Sequence, residues 1–297
     1  MKNIFQRINC YWAKYSGYEY RQGEDGVLYI LPASDATPSV YDPMEDAEAM
    51  VVSALNVGRL AMTRGDDEPL KQAVLEFVTK YGLLGFMTAL PTTPQFMDYD
   101  AVYLPKNHFI KEETLTTQDY LALYFPFDMP DFYKDERTAK WAARGSREEL
   151  VLAATFGNEP MAMNMSLQRS YAERFDWLVT KFRDWAYTLV STVLYYEDKD
   201  KTDEATLDLY RQGVSAFGGV APTYHISLYD KPAIVWDFHS LLLGIQMMLS
   251  FALTDEARPL RLCKHCNLAF IAGHPNAVFC SPKCKNQYNV YKSRGRR

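Results

Sequence analysis

The sequence predicts a mainly α-helical protein with small β-hairpins, built as a large domain over residues 1–257 and a short cysteine-rich module over 258–297. Three observations carry this reading. Apolar residues recur at spacings of three and four through much of 1–257. Strand-like alternation is confined to short paired segments around turn residues. Four of the five cysteines fall between Cys263 and Cys284, where the charge of the chain also changes sign.

The elements follow in order. Asp25-Gly26 between residues 18–21 and 27–31 reads as a β-hairpin. Residues 32–43 are rich in turn formers. Asp42 suits a helix N-cap, with Pro43 in the first position and Glu45 closing a capping box, for a helix to about Met62. A second helix spans 69–81, with Leu70, Val74, Phe77 and Tyr81 on one face and Gly82 as its stop. Residues 87–133 suggest one helix, near 117–124, and Ser146 with Glu149 forms a capping box for a helix to about Phe156. The strongest period runs over 163–197, where Leu167, Tyr171, Phe175, Leu178, Phe182, Trp185, Leu189 and Val193 make one apolar stripe. Its aromatics are expected to be core rather than a ligand box. A helix over 203–217, a hairpin of 224–229 with 233–236, and a helix over 237–254 that is apolar nearly all round complete the domain.

Composition bounds the function. The 297 residues are 48% hydrophobic and 23% charged, which suits a globular core and excludes disorder along the whole chain. No uncharged apolar run reaches the 18 or so residues of a membrane span, and Met1-Lys2-Asn3-Ile4 lacks a signal peptide's apolar region, so a cytoplasmic protein is expected. Nucleotide-binding glycine loops, a nucleophile elbow and His-Glu-x-x-His are all missing, and no enzyme activity is expected. His108, His225 and His239 stand alone, as does Cys10, which reads as a small buried hydrophobe. The acidic residues Glu197, Asp198, Asp200, Asp203 and Glu204 are interleaved with lysines and read as a solvated loop rather than a cation site.

The C-terminal module is more specific. Cys263-Lys264-His265-Cys266 and Cys280-Ser281-Pro282-Lys283-Cys284 are separated by thirteen residues. Two thiolate pairs so spaced suit one tetrahedral, structural Zn²⁺ on Cys263, Cys266, Cys280 and Cys284. An iron–sulfur cluster or a redox Cys-x-x-Cys are the alternatives, although redox chemistry needs only one pair. His265 and His274 are possible substitute ligands. The first pair fits a knuckle followed by a strand over 268–271, with Gly273, Pro275 and Asn276 turning the chain back along 277–279. Ser281 reads as an N-cap and Pro282 as the first helical residue, which puts Cys284 in the first turn. A β-knuckle followed by a helix is a treble-clef or ribbon-type finger.

Residues 258–297 hold nine Lys and Arg and no Asp or Glu, a charge of +9, whereas residues 1–257 carry −14. The helix after Cys284 therefore presents cations and amides: Lys283, Lys285, Asn286, Asn289, Lys292, Arg294, Arg296 and Arg297. Lysine and arginine neutralise phosphates and asparagine can pair with a base edge, so duplex DNA is the expected partner. The alternative is a protein-interaction module with a purely structural zinc, docked on or masked by the acidic domain.

Arg261-Leu262-Cys263-Lys264-His265-Cys266, Phe270, Phe279-Cys280, Cys284, Asn286 and the basic tail together resemble the CGNR zinc-finger proteins of bacteria. The stretch from Phe77 to Gly85 is similar to a helix end in the ABATE domain that precedes the finger in that family. Cys284-Lys285-Asn286-Gln287 stands where the family has Cys-Gly-Asn-Arg, and 272–277 lacks the family's arginines. The resemblance implies a stress-induced transcription regulator, with a helical domain that senses a ligand or partner or mediates dimerisation.

Overall fold

The computed structural model describes residues 8–9, 11–63, 68–87, 102–104, 109–128, 169–215, 217–218, 223–238 and 240–295. Helices dominate these residues, accompanied by small, mostly antiparallel sheets. The chain divides into two compact units, each assembled from segments distant in sequence. The first comprises residues 1–43, 78–178 and 222–243, and the second 44–77, 179–221 and 244–297. Residues 258–297 thus belong to a unit that also contains much of the helical domain.

In the first unit, β1 (Ile8–Asn9) lies parallel to β10 (Pro232–Asp237), which pairs antiparallel with β9 (Thr223–Leu228). β2 (Trp12–Tyr15) pairs with β5 (Pro38–Tyr41), a strand inside the stretch expected to be only turns. The hairpin at Asp25-Gly26 forms as expected from β3 (Tyr18–Gln22) and β4 (Leu28–Pro32), and Gly26 takes a positive φ of 78°. β6 (Val102–Tyr103) and β7 (Thr114–Leu115) form a two-residue ladder beside the short α3 (Thr117–Ala122).

The long helix predicted over 163–197 begins later than expected. α4 runs Phe175–Asp198, and Glu173–Arg174 are β8, which adds a third strand to β4. The cause is Glu173, only 1% exposed. Its carboxylate accepts the backbone N–H groups of Leu84 (2.8 Å), Gly85 (2.5 Å) and Phe86 (3.2 Å), and the Tyr171 hydroxyl (2.8 Å). Four donors on one buried anion outweigh the apolar period that would carry the helix through this point. Leu167, at the start of the predicted stripe, lies outside the described residues, as does the predicted Ser146–Glu149 capping box.

The second unit packs helices. After a 3₁₀ turn (Pro43–Asp46), α1 spans Ala47–Thr63, and α2 (Glu68–Tyr81) ends as predicted at Gly82, whose φ is +89°. Met50, Val51, Leu55, Leu70, Val74, Phe77, Phe182, Trp185 and Leu189 form its core. Phe77 meets Phe182 edge-on at 4.8 Å. Gly58 lets α1 approach the backbone of α4 so closely that a Cβ would overlap the Phe182 carbonyl. α5 (Glu204–Ser215) and α6 (Leu241–Thr254) follow. α6 starts four residues later than predicted, where the Ser240 hydroxyl accepts the Leu243 N–H. No helix among the described residues is long and apolar enough to cross a membrane.

The acidic residues near 198–204 serve α5. Asp203 caps it by accepting the Thr206 N–H at 2.8 Å, and Glu204 pairs with Arg211.

Candidate metal centre

The C-terminal module is a small ladder, a knuckle and a helix. β11 (Leu260–Leu262), a strand the sequence reading did not anticipate, pairs with β12 (Ala269–Ile271). Between them the chain turns tightly: Cys263 N–H bonds to Leu268 O at 2.9 Å, Asn267 N–H bonds to Cys263 O at 2.8 Å, and Asn267 takes φ 62°. Asparagine tolerates that left-handed conformation better than most residues. The returning segment 277–279 is not a strand, but Lys264 N–H reaches Val278 O at 2.9 Å and so brings Cys280 back to the knuckle. α7 (Pro282–Ser293) then starts as predicted, with Ser281 accepting the Cys284 N–H at 3.2 Å and Pro282 in the first turn.

These pieces bring together all four predicted ligands. The sulfurs of Cys263, Cys266, Cys280 and Cys284 lie within 4.8 Å of one another. Cys266 and Cys280 are 3.7 Å apart, and Cys280 and Cys284 3.5 Å. A disulfide requires about 2.05 Å, so these are separate thiols. Four sulfurs placed tetrahedrally about 2.3 Å from one ion would sit about 3.8 Å apart, close to the observed spacing. The tetrad can therefore hold one metal ion, and among the described residues it is the group of metal-binding side chains that can do so.

The thiols of Cys263, Cys266 and Cys280 do not ionise alike. Burial pushes the Cys263 thiol up, but the N–H groups of Cys266, Cys280 and His265 outweigh it and hold the thiol at about 6. Burial and the neighbouring Cys284 sulfur push Cys280 up to about 12, and burial raises Cys266. A central cation removes the conflict by favouring every thiolate, and its binding releases protons. The two histidines are engaged elsewhere. His265 Nε2 lies 3.1 Å from Gln287 Oε1, and His274 Nδ1 accepts the Asn276 N–H at 3.2 Å.

Asn56, which the sequence did not single out, supports the module from α1. Its Oδ1 accepts the Ala269 N–H at 2.8 Å, and its Nδ2 donates to Ala269 O at 3.4 Å. Ala269 occupies a ladder position whose polar groups point away from β11, so the amide acts as a one-residue third strand. Arg258 adds a bidentate ion pair to Glu48, at 2.7 and 2.8 Å.

The predicted contact residues divide by position. Lys283, Lys285, Asn286, Asn289, Lys292 and Arg294 are all exposed, and α7 buries none of its side chains. At 3.6 residues per turn, Lys285, Asn289 and Lys292 fall within about 60° of one another, with Asn286 at the margin. Lys283 and Arg294 lie on the opposite side of the helix. The remaining face carries Cys284, Tyr288 and Tyr291, with Tyr288 against Phe279 (5.1 Å) and Tyr291 against His265 (5.6 Å). Arg296 and Arg297 lie outside the described residues, as do His108, His239, Cys10 and the His225 side chain. Comparison with known proteins finds no matching family model, no matching curated protein and no matching solved structure.

Proposed function

We propose that residues 258–297 are a treble-clef-type module braced by one structural Zn²⁺, and that its basic helix α7 binds duplex DNA as part of a transcription regulator. One observation carries the reading: α7 exposes Lys285, Asn289 and Lys292 as a single strip, in a segment without any acidic residue. The four thiolates and a divalent ion contribute −2 together, which leaves the segment at +7. Phosphates supply the complementary charge, and the asparagines on the same side offer amides to base edges. Zinc suits four thiolates in a closed tetrahedral shell, and such a shell leaves no open position for catalysis. The likeness of the cysteine segments to CGNR fingers agrees with this reading.

A second reading takes the module as a purely structural, protein-directed element. It rests on the Asn56 and Arg258 contacts, which tie the module to α1. Binding of the zinc-loaded full-length chain to mixed-sequence duplex DNA, measured by fluorescence anisotropy over a salt series, separates the two. DNA binding predicts a steep negative slope of log affinity against log salt, at about −0.9 per phosphate neutralised. Lys285→Glu with Lys292→Glu should lower affinity at least about tenfold and flatten that slope by about two. No binding at low salt by protein carrying one zinc per chain, or a double variant that binds as wild type does, overturns the DNA reading.

A further inference from the structure

We propose that β9 is a homodimerisation edge, on which two copies pair their Thr223–Leu228 strands antiparallel about a two-fold axis at Ile226. β9 is the outer strand of the sheet β1-β10-β9. Tyr229 N–H bonds to Lys231 O at 3.3 Å, and Leu228 lies opposite Pro232. In an antiparallel ladder, hydrogen-bonded pairs alternate with non-bonded ones. Tyr224, Ile226 and Leu228 therefore turn their N–H and C=O groups away from β10, toward the open edge. Among the described residues none of the three makes a hydrogen bond.

The same three residues expose apolar side chains. Tyr224 is 61% exposed, Ile226 72% and Leu228 79%, with Ile234 beside them at 43%. Tyr224 packs against Trp236 across the hairpin at 5.5 Å. Natural sheets blunt a free edge with charge, proline or a bulge. Thr223–Leu228 has no Lys, Arg, Asp, Glu or Pro. An edge with that composition is built for pairing.

The occupant that fits is a second copy. With the axis at Ile226, Ile226 faces its own counterpart, and Tyr224 faces Leu228 of the other copy. Every cross-strand pair on this face is then apolar, and all three pairs fall on positions whose N–H and C=O are free, so the hydrogen-bonding phase is right without any slip. The four exposed residues carry roughly 500 Å² of mostly apolar surface per copy, and edge pairing covers about half of it. Together with the strand edge that makes about 1,000 Å² in total, at the lower limit for a specific interface, and sets the dimer in the micromolar range.

Sedimentation equilibrium of the full-length, metal-loaded chain over about 1–100 µM tests this. Wild type should move from 34.2 kDa toward twice that mass as concentration rises. Ile226→Lys places two like charges on the axis and should keep the chain monomeric. Ile226→Pro removes the central N–H at an edge position where proline is tolerated, and should do the same with unchanged far-UV circular dichroism. Register is read with single cysteines. Ile226→Cys should cross-link to itself, because paired Cα atoms about 5.5 Å apart are within disulfide reach. Leu228→Cys should not, because the two copies of residue 228 lie about 13 Å apart along the strand. A wild-type chain that stays monomeric to the top of the range overturns the proposal. So does a dimer that survives both Ile226 substitutions, or open-ended assembly in place of a dimer.

Discussion

Replacing Asn56 with alanine removes two hydrogen bonds at once and leaves both polar groups of Ala269 without their partner. Ala269 is 3% exposed, so water cannot take the amide's place. A buried N–H left unsatisfied costs about 1–3 kcal/mol, and the longer bond to the carbonyl adds about 0.5. The sum is about 2 kcal/mol, or a fall in Tm of about 4–8 °C for a unit of this size. The same energy makes local opening of the β11–β12 ladder about 30-fold more frequent. Transfer of the bound metal to a chelator should speed up by that factor if the ladder must open first. Asn56→Asp keeps the acceptor for the N–H but turns a second oxygen toward the Ala269 carbonyl, so it should fall no nearer to wild type than alanine does. Thermal unfolding and stopped-flow metal transfer check both variants. An alanine variant indistinguishable from wild type in both assays would refute the view that this amide holds the module.

Three further outcomes follow from the packing. Ser281→Ala removes the cap that accepts the Cys284 N–H and should cost about 1 kcal/mol, read as an approximately fivefold loss in metal affinity by competition titration. Gly58→Ala would gain about 1 kcal/mol in an isolated helix, yet its Cβ overlaps the Phe182 backbone, so a lowered Tm is expected and an unchanged one would contradict the close crossing. Burial raises the Glu173 carboxyl against the opposing pull of the Tyr171 hydroxyl and the N–H groups of Leu84, Gly85 and Phe86. The stability linked to that raised value is fullest below the unfolded carboxyl's range and is lost as pH rises through the folded one. Urea midpoints between about pH 4 and 8 should show that decline, and Glu173→Gln should flatten it while lowering the midpoint throughout, because an amide nitrogen would then face the Leu84 N–H.

The parts of the fold that were legible in the sequence are those fixed by neighbouring residues. Asp25-Gly26 specifies its hairpin, Gly82 ends α2, and Ser281 with Pro282 starts α7, each through the backbone chemistry of one or two positions. The cysteine tetrad was legible for the same reason, since the spacing within each pair dictates a knuckle and a helix start. Long-range partners were hidden. Leu260–Leu262 reads as a linker until Ala269–Ile271 pairs with it, and Pro38–Tyr41 reads as a turn until Trp12–Tyr15 does. The period through Tyr171 and Phe175 favoured a helix across Glu173, and only the amides of residues 84–86 explain why the chain is extended there. Asn56 looks like any polar residue on a helix, because nothing local marks an amide that completes a sheet.

The grip of Glu173 on Leu84, Gly85 and Phe86 also has a consequence in time. The bonded residues are 87 to 89 positions apart. On a ribosome adding about 5–20 residues per second, the three amides emerge roughly 5–20 s before their acceptor is made. β4 waits longer for β8, since Tyr29 pairs with Arg174, and β1 waits longer still for β10. The first unit cannot close while its middle is being synthesised. β2–β5 and β3–β4 can pair early, but the outer edge of β4 stays unpaired until residue 173 is made, and β1 until residue 236. A nascent chain arrested just before residue 173 should therefore be far more sensitive to protease and to chaperone capture than one arrested shortly after residue 237.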